Sequence, residues 1–433
     1  MPPHLAIDLR TWRPSRLNPP VFSRARHGPA CSGTPDLATR RPGIRDAWQW
    51  VVAAARLTAL HAASRRMKSK LRLLNRRHLV LIREIENLAM MRAVPGPIES
   101  LRTAASDLAT QGPIFIHSTW RAGSTYFWNK FRTSRHYLAY YEPFHESLEN
   151  LTAAAIRRAT SASWPSRHPI LNTPYYHEYR DLLEPRGGVK NFQWTFPYLH
   201  YFLNDEPLLD QQAYLNGLCQ HAKIQGLRPV FGFCRSLGRT PWFSRHMPGI
   251  HIALTRDALG MWRSALDRKQ AYGDVYFLAR PLIILLTARR DPWIASYFAA
   301  LGLGNLPRLS DAGSACRRAD QIVHRDLPLT TRAFAAVFAL GTVLSQRHAD
   351  IVIPMETLST ESGCRTISAS LIGRYNIDID WRDCQIPVYS PRSEDGLFLD
   401  FWNRASILAE RYAARLPGFS TSDPPAQVLQ ANP

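Results

Sequence analysis

Lysine is scarce in this 433-residue chain: six Lys stand among 54 basic residues, which leaves 48 Arg. Acidic residues are few as well, 34 in all, so the formal charge is +20. Arg in such excess suits forked contacts with phosphate or sulfate, although a GC-rich coding sequence gives the same bias. The six cysteines (Cys31, Cys219, Cys234, Cys316, Cys364, Cys384) lie far apart. They form no CxxC pair and no Cys/His spacing of a zinc site, a pattern that fits reduced thiols. Long apolar runs are also missing. No stretch approaches the roughly 18 to 20 uncharged apolar residues of a spanning helix. Trp48 to Ala63 is interrupted by Arg56, and Val275 to Ala288 by Arg280. The opening MPPHLAIDLRTWRPSR has no apolar core of a secretory signal. These absences predict a cytoplasmic protein, with peripheral contact at the inner membrane face as the only membrane role.

The charge is unevenly spread. Residues 1–110 hold 19 basic and 7 acidic side chains, about +12 of the +20. The excess therefore belongs mainly to an N-terminal extension and reads as a solvated basic tail, with an anionic membrane surface or nucleic acid as the sharper alternative, and no nucleic acid expected as partner of the domain that follows. Residues 1–45, rich in Pro and Arg without periodicity, predict a disordered basic segment. Residues 46–110 predict a helical extension, in which Leu71, Leu74, His78, Leu81, Ile85 and Leu88 share one seam. Ala93-Val-Pro-Gly-Pro97 then breaks the pattern.

From residue 111 to about 415 the rhythm changes to short apolar runs alternating with helical segments, the pattern of an α/β domain with a mostly parallel sheet. Strands are predicted at Pro113 to Ser118, His136 to Tyr141, Pro229 to Cys234, Gly249 to Thr255 and Asp350 to Pro354. Helices are predicted from about Ser124 to Arg135, Ala258 to Gln270 and Thr331 to Gln346. An insertion, 147–226, separates the second and third strands; residues 416–433 predict a flexible tail. The second half of the insertion is crowded with rings (Tyr175, Tyr176, Tyr179, Phe192, Trp194, Phe196, Tyr198, Tyr201). Such rings either stack on a sugar or aromatic acceptor or fill a core.

The first strand runs into Arg121-Ala-Gly-Ser-Thr125 and then a helix. A strand, a small-residue loop and a helix start together aim backbone N–H groups and the helix dipole at one point, which binds anions. Gly123 allows close backbone approach, Ala122 keeps the loop small, and Ser124 and Thr125 add hydroxyl donors. Arg121 supplies a forked cation. No GxxxxGK[ST] is present, so the loop lacks the Lys and magnesium-binding hydroxyl of a nucleoside triphosphatase. About 130 residues on, Arg256 closes the fourth strand and Ser264 follows eight positions later on the next helix. That spacing puts both at the carboxyl edge of the sheet, about two helical turns apart. Read without the loop, Arg256-Asp257 is a helix-capping pair and Ser264 a small packing residue.

The loop [RK]-x-G-[ST]-T after a strand resembles the phosphosulfate loop of P-loop sulfotransferases, and Arg256 with Ser264 resembles that family's 3'-phosphate pair. The resemblance covers about Gly112 to Arg135, Pro229 to Lys269 and Ala349 to Arg374. It implies a P-loop-type three-layer α/β fold and transfer of sulfonate from 3'-phosphoadenosine 5'-phosphosulfate, without a metal, to a hydroxyl. The C-terminal RKGxxGxWK signature of the cytosolic members is absent, and Tyr389-Ser-Pro-Arg-Ser393 could replace it through Ser390 and Arg392. That absence, and the lack of the membrane anchor of Golgi members, points to bacterial carbohydrate-type relatives with a sugar or glycolipid acceptor.

Transfer to a hydroxyl needs a base. Glu142, at the end of the second strand in Tyr140-Tyr-Glu-Pro-Phe-His145, resembles the acidic base of some relatives; His145 is the alternative, and a salt-bridged loop carboxylate is the other reading of Glu142. Tyr126 or Phe127 could stack on adenine, or could be core. Arg235 and Ser236 end the third strand and could form a ligand rim. Two other functions fit the same residues: another P-loop phosphotransferase, or a non-catalytic basic protein that binds nucleic acid or membrane on a degenerate fold of this kind.

Overall fold

The computed structural model describes residues 112–160, 171–202, 206–288, 292–387, 389–390, 392, 395–415 and 427–428. The expected basic segment 1–45, the helical extension 46–110 with its Leu71 to Leu88 seam, and most of 416–433 lie outside the described residues.

Strand β1 (Ile114–His117) leads through the loop 118–123 into helix α1 (Ser124–Arg132), and β2 (Tyr137–Tyr141) follows. The insertion holds a 3-10 turn at Glu146–Asn150, α2 (Ala153–Arg158), a second 3-10 turn at His177–Leu182 and α3 (Leu209–Ile224). Next come β3 (Arg228–Gly232), α4 (Thr240–His246), β4 (Ile250–Thr255) and α5 (Ala258–Tyr272). Helices α6 (Tyr276–Thr287), α7 (Pro292–Ala300), α8 (Ala312–Arg325) and α9 (Leu327–His348) precede β5 (Ile351–Pro354). The chain continues through α10 (Met355–Leu358), α11 (Glu361–Tyr375) and α12 (Gly396–Ala413). Gln427–Val428, within the segment expected to be a flexible tail, forms β6 against β5.

The strands pair in parallel in the order β2-β3-β1-β4-β5-β6, giving an α/β fold. All four β1 side chains are buried, as its uninterrupted Ile-Phe-Ile run requires of a strand covered on both faces. Register stacks rings across the sheet: Phe115 pairs with Phe231 and His251, with centroids 5.0 and 5.1 Å apart. Helix α1 presses onto this surface through Trp128, whose indole donates to the Ala139 carbonyl at 2.9 Å. A Cβ on Gly232 would lie 2.8 Å from Trp128 Cβ, so the close approach requires glycine.

The order of the strands creates a crevice. After β1 the chain turns toward β2, on one side, and after β4 toward β5, on the other. Adjacent parallel strands whose continuations diverge leave a gap at their carboxyl ends, and ligands of open α/β sheets bind there.

The rings of the insertion lie mostly inside. Tyr179, Phe196, Tyr198 and Tyr201 are buried; Tyr179 packs on Tyr140 and Phe196 on Phe144, while Trp194 is exposed. A second core joins α5, α6, α9 and α12. Helix α9 is apolar and long enough to cross a membrane by composition, but 72% of its apolar window is buried within the protein. Arg280, which interrupts the apolar run of α6, is itself buried and reaches Tyr198 and Glu146.

Candidate functional site

The loop after β1 is held in an unusual shape. Arg121 has φ 69° and Gly123 φ 85°, both left-handed. For a residue with a side chain this costs on the order of 1 to 2 kcal/mol, and persists where surroundings fix it. Those surroundings come from β4 and α5. Arg256 Nη1 donates to the Arg121 carbonyl at 2.8 Å, and Arg121 Nε donates to Ser264 Oγ at 2.8 Å. Residues 135 and 143 positions apart thus meet at the crevice between β1 and β4. Ala122 is buried in the loop, and a Cβ on Gly123 would lie 2.9 Å from Met355 Cε.

Helix α1 opens without an acidic residue in its first turn and without a side-chain cap. Its first N–H groups and positive dipole end therefore face the crevice uncompensated by a carboxylate. Ser124 and Thr125 are buried in that turn, and the Thr125 hydroxyl lies 3.4 Å from Tyr141 OH. Tyr126 and Phe127 part company. Tyr126 donates to Asp383 at 2.6 Å, and burial together with this bond pushes its phenol up. Of the two rings expected as adenine platforms, Phe127 is fully buried and stacks on Trp381 at 4.2 Å as core, while Tyr126 is partly exposed.

Three guanidiniums converge here. Burial first, then Arg268 and Arg256, hold the Arg121 guanidinium down to about 10. Carboxylates are sparse around them: Asp274 pairs with Arg268 at 2.7 Å, and Glu356 stands 4.0 Å from Arg256 Nε. Arg256 Nε has no hydrogen-bond partner among the described residues. Such a group of like charges favours an anion. The C-terminal segment is brought beside it: Arg263 forms an ion pair with Asp395, which also accepts from the Arg392 N–H at 2.8 Å. The Tyr389 ring lies 6.0 Å from the Arg256 guanidinium; the side chains of Ser390 and Arg392 are exposed.

A second cluster sits at the ends of β2 and β3. Glu142 is buried with φ 46°, and its Oε2 accepts from the Cys234 N–H at 3.0 Å and from Arg235 Nη1 at 3.1 Å. Burial raises its carboxyl above the ordinary range, opposed by Arg235. Arg235 also reaches Glu146 at 2.7 Å and Tyr276. Burial alone would raise the Glu146 carboxyl, but Arg235, His145 and Arg280 hold it well below the usual range. His145 accepts from the Ser147 N–H at 3.1 Å, and burial lowers its imidazole to about 3. Such an imidazole is a poor proton acceptor near neutrality.

Arg235 and Ser236, expected at a ligand rim, are instead fully buried. Arg235 bridges two carboxylates, and Ser236 Oγ lies 3.0 Å from His117 Nδ1. Residues that sequence reasoning missed are Glu146, Arg268, Tyr276 and Arg280. Arg268 was visible as the position one turn beyond Ser264, and Arg280 as a charge inside an apolar run. Tyr276 and Phe277, neighbours on the first turn of α6, join the clusters: Tyr276 OH donates to Glu146 at 2.9 Å, and Phe277 lies under Arg121 at 4.9 Å.

Among the described residues no group of three or more His, Cys, Asp or Glu side chains could hold a metal ion. No family model, no curated protein and no solved structure matches this chain.

Proposed function

We propose that this chain is a P-loop sulfotransferase of the bacterial carbohydrate type, which moves the sulfonate of 3'-phosphoadenosine 5'-phosphosulfate onto a hydroxyl of a sugar or glycolipid. The observation that carries the reading is the contact of Arg121 with both Ser264 and Arg256, at 2.8 Å each, over the start of α1. A loop at a helix start specifies one anion; a second cationic group on the neighbouring strand and helix specifies two. A nucleotide phosphorylated at both 3' and 5' positions has that shape. The strand order, with β1 central and the crevice beside it, supports a P-loop-type three-layer architecture.

In this reaction the α1 N–H groups, Ser124 and Thr125 hold the 5'-phosphosulfate, and Arg256 and Ser264 hold the 3'-phosphate. The acceptor oxygen attacks sulfur in line, forming the new S–O bond. The bond from sulfur to the bridging oxygen breaks, and its electron pair remains on the departing phosphate, where Arg121 offsets the charge. Glu142 takes the acceptor proton. Its Oε2 is engaged by the Cys234 N–H and Arg235, its Oε1 is the atom that takes the proton, and burial raises its basicity toward that of a useful base. Arg235 positions Glu142.

Calorimetry with adenosine 3',5'-bisphosphate tests the reading. The unsubstituted protein should bind, and Arg256→Ala should weaken binding by about 10-fold or more. A screen of sugar acceptors with labelled donor should then show transfer without added magnesium. Absence of nucleotide binding, or a requirement for ATP and Mg²⁺, would overturn it.

A further inference from the structure

The crevice holds one more cation than the reaction above uses. Arg268 follows Ser264 by one turn on α5, so the two side chains share a face. It is buried, and its guanidinium lies over Tyr272 at 5.4 Å and over Phe277 at 5.8 Å. Phe277 also carries Arg121, at 4.9 Å. One ring therefore braces two guanidiniums, and Arg121 in turn touches Ser264. Arg268 is oriented by Asp274, which accepts from its Nε at 2.8 Å and Nη2 at 2.7 Å, while the other Asp274 oxygen accepts from the Tyr276 N–H at 2.9 Å and so starts α6. No carboxylate among the described residues lies within ion-pairing distance of Arg121. Planar cations stacked on aromatic faces are rigid and weakly hydrated, ready to grip a multiply charged oxyanion.

Resting on the sulfotransferase reading, we infer that Arg268 is a second cationic ligand of the nucleotide's 3'-phosphate besides Arg256, carried by the Phe277 ring it shares with Arg121, with Asp274 as the resting counter-ion that the phosphate displaces. The repulsion of Arg268 with Arg121, which helps to hold the Arg121 guanidinium down to about 10, is relieved when a phosphate lies between them. The site would then select for the 3'-phosphorylated nucleotide over its 5'-monophosphate relative.

Calorimetry on the full chain tests this with two probes, adenosine 3',5'-bisphosphate and adenosine 5'-monophosphate, and two variants. Arg268→Gln should weaken the bisphosphate by about 10-fold or more and leave the monophosphate unchanged. Asp274→Asn keeps an acceptor for the Tyr276 N–H but removes the competing charge, so it should bind the bisphosphate at least as tightly as the unsubstituted protein. Equal losses on both probes, no loss in Arg268→Gln, or an equal loss in Asp274→Asn, which would mark the pair as structural, each overturn the assignment. Failure of the unsubstituted protein to bind the bisphosphate overturns the sulfotransferase reading itself, a distinct result.

Discussion

Two residues with side chains in left-handed backbone, Arg121 and Glu142, follow β1 and β2, the strands on either side of β3. Conformations that cost energy survive where a function or a rigid surrounding demands them, and both residues carry proposed roles. Glu142 is buried with one oxygen occupied by Arg235 and Cys234. Glu142→Gln keeps the size and the acceptor oxygen but removes the base, so turnover should fall by about 100-fold or more while adenosine 3',5'-bisphosphate binds as before. Undiminished turnover would reduce Glu142 to a loop anchor. The loop's composition was legible in the sequence, because small residues and an Arg between a strand and a helix have few other uses. The buried ion pairs were not. Arg235, Arg280 and Glu146 acquire partners only through tertiary contact, and a charge in an apolar run carries no periodicity that names its mate.

At the scale of elements, α5 does the most. It begins with Asp257, whose carboxylate accepts from the Gly260 N–H at 2.6 Å, and then delivers Arg263, Ser264 and Arg268 to three different partners. Losing that cap should cost about 1 kcal/mol, and Asp257→Ala should show it as a lower denaturant midpoint with an unchanged slope. A variant as stable as the parent would mean that another group satisfies the helix start. Strands β1 to β5 and helices α5 and α9 were readable because each is a sustained apolar pattern bounded by polar residues. Gln427–Val428 was not, since two residues carry no pattern, and its pairing depends on the edge that β5 offers. The ring-rich half of the insertion was ambiguous for a different reason: aromatic content is the same for a core and for a sugar platform. Only packing, such as Tyr179 against Tyr140 and Phe196 against Phe144, separates the two.

At the scale of the molecule, His117, His251 and His145 shape the response to acid among the described residues. His117 on β1 and His251 on β4 lie 3.0 Å apart, and His145 lies beside Glu146. Burial lowers all three; the neighbouring His251 lowers His117 further, and His145 falls to about 3. In the unfolded chain each returns to about 6.5. Below that value the unfolded state binds protons that the folded state refuses, so stability falls as pH falls, by at most about 1.4 kcal/mol per pH unit for each histidine. Glu142 and Glu178, whose carboxyls burial raises, act in the opposite direction and offset part of the loss once they protonate. His145→Asn keeps an acceptor for the Ser147 N–H and removes one of the three protons. Denaturant unfolding at pH 6.5 and 5.0 should therefore show a shallower loss of stability in His145→Asn than in the parent, by about one proton's worth of slope. Identical slopes would mean that His145 is already protonated in the folded chain, and its weakness as a base would then no longer favour Glu142.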